Sequence, residues 1–324
     1  MSKIEDLKMK NTNKIKRCFF NGKIWTKNEL SDQTYISKAG VTNILKQLLD
    51  SQEIHFIGEA NSTGGRKSKQ YQINKDYFHI GKIVLLRKKG EFHFISQSVD
   101  LFNQLIYEQC FQFLQGTIDE LVQVVKELLK NDTKITTLCL SVPGICKDGY
   151  LSVCDFYDLQ GIDLKECLKL KEDIDIVIEN DVNVAAIGLS HILHYDNLAF
   201  LYQPEVEYVG CGMIIHGKLY NGFSHFAGEL RYLPFYDHQM QDHLLKENPK
   251  ELLRLQMETI CCVINPEMIC LCSDVVDGDY LETFDWTLPK QHLPEIHVIE
   301  KMNDYLYDGL YDIAINNQLK GDIL

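Results

Sequence analysis

The stretch "SKAGVTNILKQLLDSQ" places Val41, Ile44, Leu45 and Leu48 at i, i+3, i+4 and i+7, the apolar stripe of an amphipathic helix. Ser37 stands where an N-cap is needed. Turning the stripe inward turns Lys38, Thr42, Asn43 and Lys46 outward, a short, polar and basic face of the kind that lies in a major groove. Two helices are predicted ahead of it. One runs around Asn13–Phe20 and stops at Asn21-Gly22. The other opens at Thr26, with Glu29 three residues on completing a capping box. After the third helix, "IHFI", the turn residues "GEANSTGG" and the returning "RKSKQYQI" predict a hairpin whose far arm begins Arg66-Lys67-x-Lys69. Three helices and a basic hairpin, residues 1–76, make a winged helix-turn-helix.

The pattern then changes. "YFHIGKIVLL" and "EFHFISQSVDLF" read as strands joined by "RKKG". "TIDELVQVVKELLKN" is amphipathic, "ITTLCLSVPG" is a buried strand ending in a Pro-Gly turn, and "IDIVIENDVNVAAIGLSHIL" is a strand that breaks at Glu179-Asn180-Asp181 into a helix. "VGCGMIIHGKLYNG" predicts another hairpin, and "MICLCSDVV" a late strand. Alternation of this kind predicts an α/β fold with helices laid on the sheets. Strand tips that turn polar just before a helix are where such sheets bind ligands.

Charge divides the chain at the same place. Residues 1–76 hold 14 Lys/Arg against 8 Asp/Glu, a net +6, and the rest hold 19 against 38, a net −19. Only the head is suited to nucleic acid. The eleven cysteines include no pair of CxxC type; Cys261-Cys262 and Cys270-x-Cys272 sit in apolar runs and read as small buried hydrophobes, so no metal is expected. The charged opening residues and the lack of a long apolar segment lead to the expectation of a cytoplasmic chain with no membrane contact.

Three features of the body bear on chemistry. Asp181 at a strand end has two readings, a general base or a cap on the following helix. The glycines of "VGCG" bring backbone close to something, a phosphate or a tight strand. Glu229, in "AGEL", has the setting of a hydrogen-bonding ligand residue.

Together these residues resemble the ROK family of repressors, open reading frames and kinases. The carriers are "SKAGVTNILKQLLDSQEI" with "STGGRKS" in the head, then "LSVPGI", "DLQGIDL", "IVIENDVNVAA", "GCGMIIHGKLYNGFSHFAGEL" and "INPEMICL" in the family's order, from about residue 13 to near Ile315. The resemblance implies the family's transcriptional-regulator branch: a winged helix-turn-helix followed by two actin-like (ribonuclease H-like) α/β lobes, 77–186 with 301–324 and 187–300. It implies a sugar in the cleft, held by Asn180, Asp181 and Glu229, with Tyr232 where the family has a histidine.

The departures from the family pattern bear on function. The kinases' DxGGT phosphate loop has no counterpart in "HIGKIVLLRKKGEF". Val206 and Tyr208 replace the first two glycines of the second phosphate loop, and side chains there crowd a phosphate that needs bare backbone. Asp181 survives as the family's base, but a base without a phosphoryl donor phosphorylates nothing. The family's zinc cluster is missing, since "LPFYDHQMQDHLLKEN" holds no cysteine; the second sugar-binding glutamate goes with it. In the wing, Ser68 stands near the place where the family often has a proline after GGR. The resulting expectation is a repressor without kinase activity or cofactor. It binds double-stranded operator DNA through Lys38, Thr42, Asn43, Lys46, Arg66, Lys67 and Lys69, as a homodimer or homotetramer, with a sugar or sugar derivative as effector. Two alternatives stay open: a sugar kinase with an appended head, and a ligand-independent regulator whose cleft is vestigial.

Overall fold

The computed structural model describes residues 3–20, 22–60, 67–88, 90–170, 173–204, 209–233, 238–282 and 284–319. The head comprises α1 (Lys3–Phe19), β1 (Trp25–Thr26), α2 (Lys27–Thr34), α3 (Lys38–Asp50), β2 (Ile54–Glu59) and β3 (Lys69–Ile73). Its strands form a small antiparallel sheet in the order β1-β3-β2. Thr26 accepts from the Glu29 amide at 3.3 Å while the Glu29 carboxylate accepts from the Thr26 amide at 2.7 Å, so the capping box is complete. Ser37 caps α3 by accepting from the Gly40 amide. Val41, Ile44, Leu45 and Leu48 are buried with Phe19, Leu30 and Ile54. Helix α1 starts well before the expected Asn13; Glu5 to Lys8 are exposed, so no buried stripe announces this part of the helix.

The body repeats one topology. The first lobe contains β4 (His79–Lys88), β5 (Glu91–Val99), β6 (Leu105–Phe113), α4 (Ile118–Asn131), β7 (Ile135–Val142), the hairpin β8 (Gly144–Lys147) and β9 (Tyr150–Cys154), α5 (Leu164–Leu168) and β10 (Asp175–Asn180). Helix α6 (Asp181–Leu193) leads to the second lobe: β11 (Leu198–Gln203), β12 (Gly210–Ile215), β13 (Lys218–Leu219), α7 (His238–Glu247), α8 (Pro249–Ile264), β14 (Met268–Ser273), α9 (Gly278–Glu282) and β15 (Glu295–Val298). Helix α10 (Asn303–Gln318) then returns. The sheets run β6-β5-β4-β7-β10 and β13-β12-β11-β14-β15. Each is an antiparallel meander followed by two parallel strands on the other side of the first, the ribonuclease H-like order of an actin-like lobe.

Helices α6 and α10 lie against each other between the sheets. A Cβ on Gly188 would meet the Tyr305 carbonyl oxygen at 2.3 Å, and one on Gly309 would meet that of Val184 at 2.0 Å. The two backbones therefore touch where only hydrogen atoms fit. One apolar cluster runs from Phe19 and Leu45 in the head through Ile80 and Ala186 to Leu310.

The head is fastened to this unit by α10. The Tyr311 hydroxyl donates to the Leu101 carbonyl at 2.7 Å and lies 3.3 Å from that of Phe20. Arg17 donates to Asn316 at 3.0 Å, and Asn13 donates to the Leu319 carbonyl. Beneath them Lys82, fully buried, donates to Asn103, which donates to Asp308 at 2.9 Å. Burial lowers the Lys82 pKa to about 8. Among the described residues no helix is long and apolar enough to cross a membrane.

Candidate functional site: an interlobe cleft and a polar helix face

The cleft is built where β10 passes into α6. Asn180 is the N-cap of α6 and accepts from the Asn183 amide at 3.0 Å, while its own amide donates to the Gly144 carbonyl at 2.9 Å. That carbonyl is available because Gly144, at φ +142°, lies where a Cβ would be 2.2 Å from the Val153 oxygen of the paired strand. Glu179 accepts from the Asn180 amide (2.9 Å) and from the Asn183 side chain (3.0 Å), with Asn221 donating more loosely at 3.4 Å. Opposite, Gly228 at φ +94° packs so closely on β12 that a Cβ would meet the Cys211 oxygen at 2.0 Å, which holds Glu229 at the cleft wall.

Asn180, Glu179, Glu229, His225, Cys146 and Cys211 surround a cavity of about 50 Å³. Burial raises the pKa of both glutamates; the Asn183 side chain and the Asn180 amide pull Glu179 back, as does the nearby His225. Burial also pushes the thiols up, Cys146 to about 11 and Cys211 to about 12, which leaves neither as a thiolate nucleophile near neutral pH. Pockets that hold small ligands are roughly 300–1,000 Å³. This cavity is well below that range.

Of the four residues the sequence points to here, Asn180 and Glu229 line the cavity. Asp181 is buried at 9% exposure, with its carboxylate accepting from the Val182 amide at 2.9 Å and from Asn180 at 3.2 Å. Tyr232 is 49% exposed, its ring 5.1 Å from that of Phe226. Glu179, His225, Asn183 and Cys146 are cavity residues that sequence reasoning missed. Glu179 alone carried a signal, as the first residue of the polar break at the end of β10.

The glycines of β12 pack against α6: a Cβ on Gly212 would lie 2.8 Å from both the Val182 oxygen and the Ala186 methyl. Strands β4 and β5 are paired up to Lys88 and Glu91, so only two residues join them. Val206 and Tyr208 lie outside the described residues. Among the described residues no three His, Cys, Asp or Glu side chains are grouped as for a metal ion.

On the head, Lys38, Thr42, Asn43 and Lys46 are all exposed on α3. The Thr42 hydroxyl donates to the Lys38 carbonyl at 2.6 Å, which presents its methyl and oxygen lone pairs outward. On the hairpin Lys67 and Lys69 are exposed, and the Lys69 ammonium lies 5.7 Å from the Phe56 ring centre. Arg66 lies outside the described residues.

The fold is shared with known proteins. A crystal structure described as a ROK family transcriptional regulator, homolog of the E. coli MLC protein, superposes with a TM-score of 0.68 over 97% of this chain and 100% of that one, at 14% identity. The ROK hexokinase from Thermus thermophilus superposes with a TM-score of 0.52 over 75% of this chain and 100% of its own, at 13% identity. In sequence, the xylose repressor of Staphylococcus xylosus is 25% identical over 231 residues, 68% of this chain and 59% of its own. That of Bacillus subtilis (strain 168) is 24% identical over 219 residues, 63% and 55%. The chain thus spans less than two thirds of the length of these curated relatives. The ROK family model matches residues 102–272, from the end of the β4–β5 hairpin to β14. With more than half its residues under that match, and with the head and lobes ordered as described, the chain belongs to the ROK family.

Proposed function

We propose that this chain is a DNA-binding transcriptional regulator, a repressor of carbohydrate-related genes without kinase activity. The observation that carries the reading is the predominantly polar, exposed outer face of α3 in a winged helix-turn-helix, presented by a positively charged head on an acidic body. Lys38, Thr42, Asn43 and Lys46 meet bases and phosphates, and Arg66, Lys67 and Lys69 serve the wing. Residues 1–76 are the reading head, 77–186 with 301–324 the first lobe, and 187–300 the second. The chain works as a homodimer or homotetramer, because one small head reads too few base pairs for operator specificity. Relatives named as xylose repressors favour this reading, and so does the pairing of β4 with β5 up to Lys88 and Glu91, where the family's kinases carry a phosphate loop.

The cleft takes a sugar or sugar derivative as effector, held by Asn180 and Glu229 with Asp181 and Tyr232 close by. Its closed volume of about 50 Å³ favours a mechanism in which the ligand wedges the lobes apart and so alters the spacing of paired heads. The same small volume is what a vestigial cleft would have.

Operator selection from genomic fragments, followed by release with a panel of sugars, tests the reading. Enrichment of fragments upstream of carbohydrate genes, released by one sugar, is expected. Equal affinity for selected and random DNA at physiological salt would overturn it. A rise in melting temperature with a sugar would exclude the vestigial cleft, because a ligand that binds only the folded state stabilises it. A coupled ATPase assay over the same panel is expected to show no turnover.

A further inference from the structure

The turn between α2 and α3 holds a residue that local physics disfavours. Tyr35 is the C-cap of α2 with φ 57° and ψ 24°, the left-handed region. There the Cβ of an L-residue crowds its own backbone, which is why glycine or asparagine usually ends a helix this way. Tyr35 is the one Phe, Tyr or Trp among the described residues with positive φ. Its ring recovers nothing by packing, being 95% exposed. No hydrogen bond to its hydroxyl is present among the described residues. The turn is held by other groups: Ser31 donates to the Ile36 carbonyl at 2.7 Å, and Ser37 caps α3. Glycine would make the same turn with less strain. A bulky side chain that strains its own turn and is left almost wholly exposed is a candidate for work outside the chain.

We infer that Tyr35 is a DNA-backbone contact whose phenol donates to a phosphate oxygen at the rim of the groove that α3 enters. The inference rests on the regulator reading. Tyr35 stands three residues ahead of Lys38, just before the N-terminal end of α3, and is exposed as Lys38 and Thr42 are. In helix-turn-helix docking the preceding helix crosses the backbone while the recognition helix enters the groove with its N-terminal end, so the turn between them faces phosphate. A phenol binds phosphate as a neutral donor and carries no sequence information. It adds affinity without displacing counterions, which separates it from the lysines.

The test uses the full chain and a fluorescent random-sequence duplex, titrated across a salt series. Tyr35→Phe is expected to bind about tenfold more weakly at each salt concentration, with the slope of log affinity against log salt unchanged. Lys46→Ala in parallel should reduce that slope by about one. Tyr35→Gly should melt at a higher temperature than the parent and bind no better than Tyr35→Phe. Parent-like DNA binding by both Tyr35 variants would overturn the inference while leaving the regulator reading intact, as would a loss confined to self-association. Failure of the parent to bind any duplex would overturn both.

Discussion

Glu229 stands at the cleft wall with burial as the cause of its raised pKa, and across the cavity Glu179 is raised for the same reason. Each binds its proton more tightly in the folded chain than in the unfolded one, where a value near 4.5 applies. Their contribution to stability is therefore fully present below that value and is lost as pH rises through the folded pKa. Glu229→Gln is expected to flatten this loss in urea unfolding measured from pH 4.5 upward; a slope identical to the parent's would show that Glu229 titrates as it does in solvent. Asn180 has a different task, capping α6 and tying it to Gly144. Asn180→Ala should cost about 1–2 kcal/mol in the same unfolding experiment. These two residues were legible in the sequence, since each lies within a short motif with its own local logic. His225 and Asn221 were not, because they come from a loop that meets β10 only after the lobes have folded.

The contact between α6 and α10 brings backbone onto backbone and leaves no slack for a methyl group. Gly309→Ala drives a Cβ into the Val184 carbonyl, and because backbone cannot rotate away, the helices must separate. A loss of about 1–3 kcal/mol is expected from such overpacking, read as a lower denaturant midpoint. Elements with a clear period were legible: α3 and α4 by their stripes, β4, β5 and β7 by their runs of branched and aromatic residues. The β8–β9 hairpin is short, and β6 is an edge strand with one face in solvent, so neither carried a pattern strong enough to stand out. The shared topology of the two lobes was legible through the family resemblance and not through the pattern of the residues. Strand order is set by which edges pair, and two unrelated sets of apolar residues satisfy the same pairing.

At the scale of the molecule, cleft and head are linked through two helices. Helix α6 begins at Asn180 in the cleft and leans on α10, and α10 carries Tyr311 and Asn316 against the head. Tyr311→Phe removes the hydroxyl that bridges to Leu101 and Phe20. Hydrogen exchange in α1 should quicken while exchange in β4 and β7 stays as in the parent; equal exchange in α1 would mean that apolar packing alone fixes the head. The position of α10 has a consequence for how the chain is made. This helix is translated after every strand of both lobes, yet it lies on β4 and β7 and completes a core begun some two hundred residues earlier. A nascent chain on the ribosome therefore carries an uncovered apolar sheet face until α10 emerges. Firm attachment of the head waits on the same helix, so a product terminated before it would display a head with nothing to set its position and would be a target for chaperones.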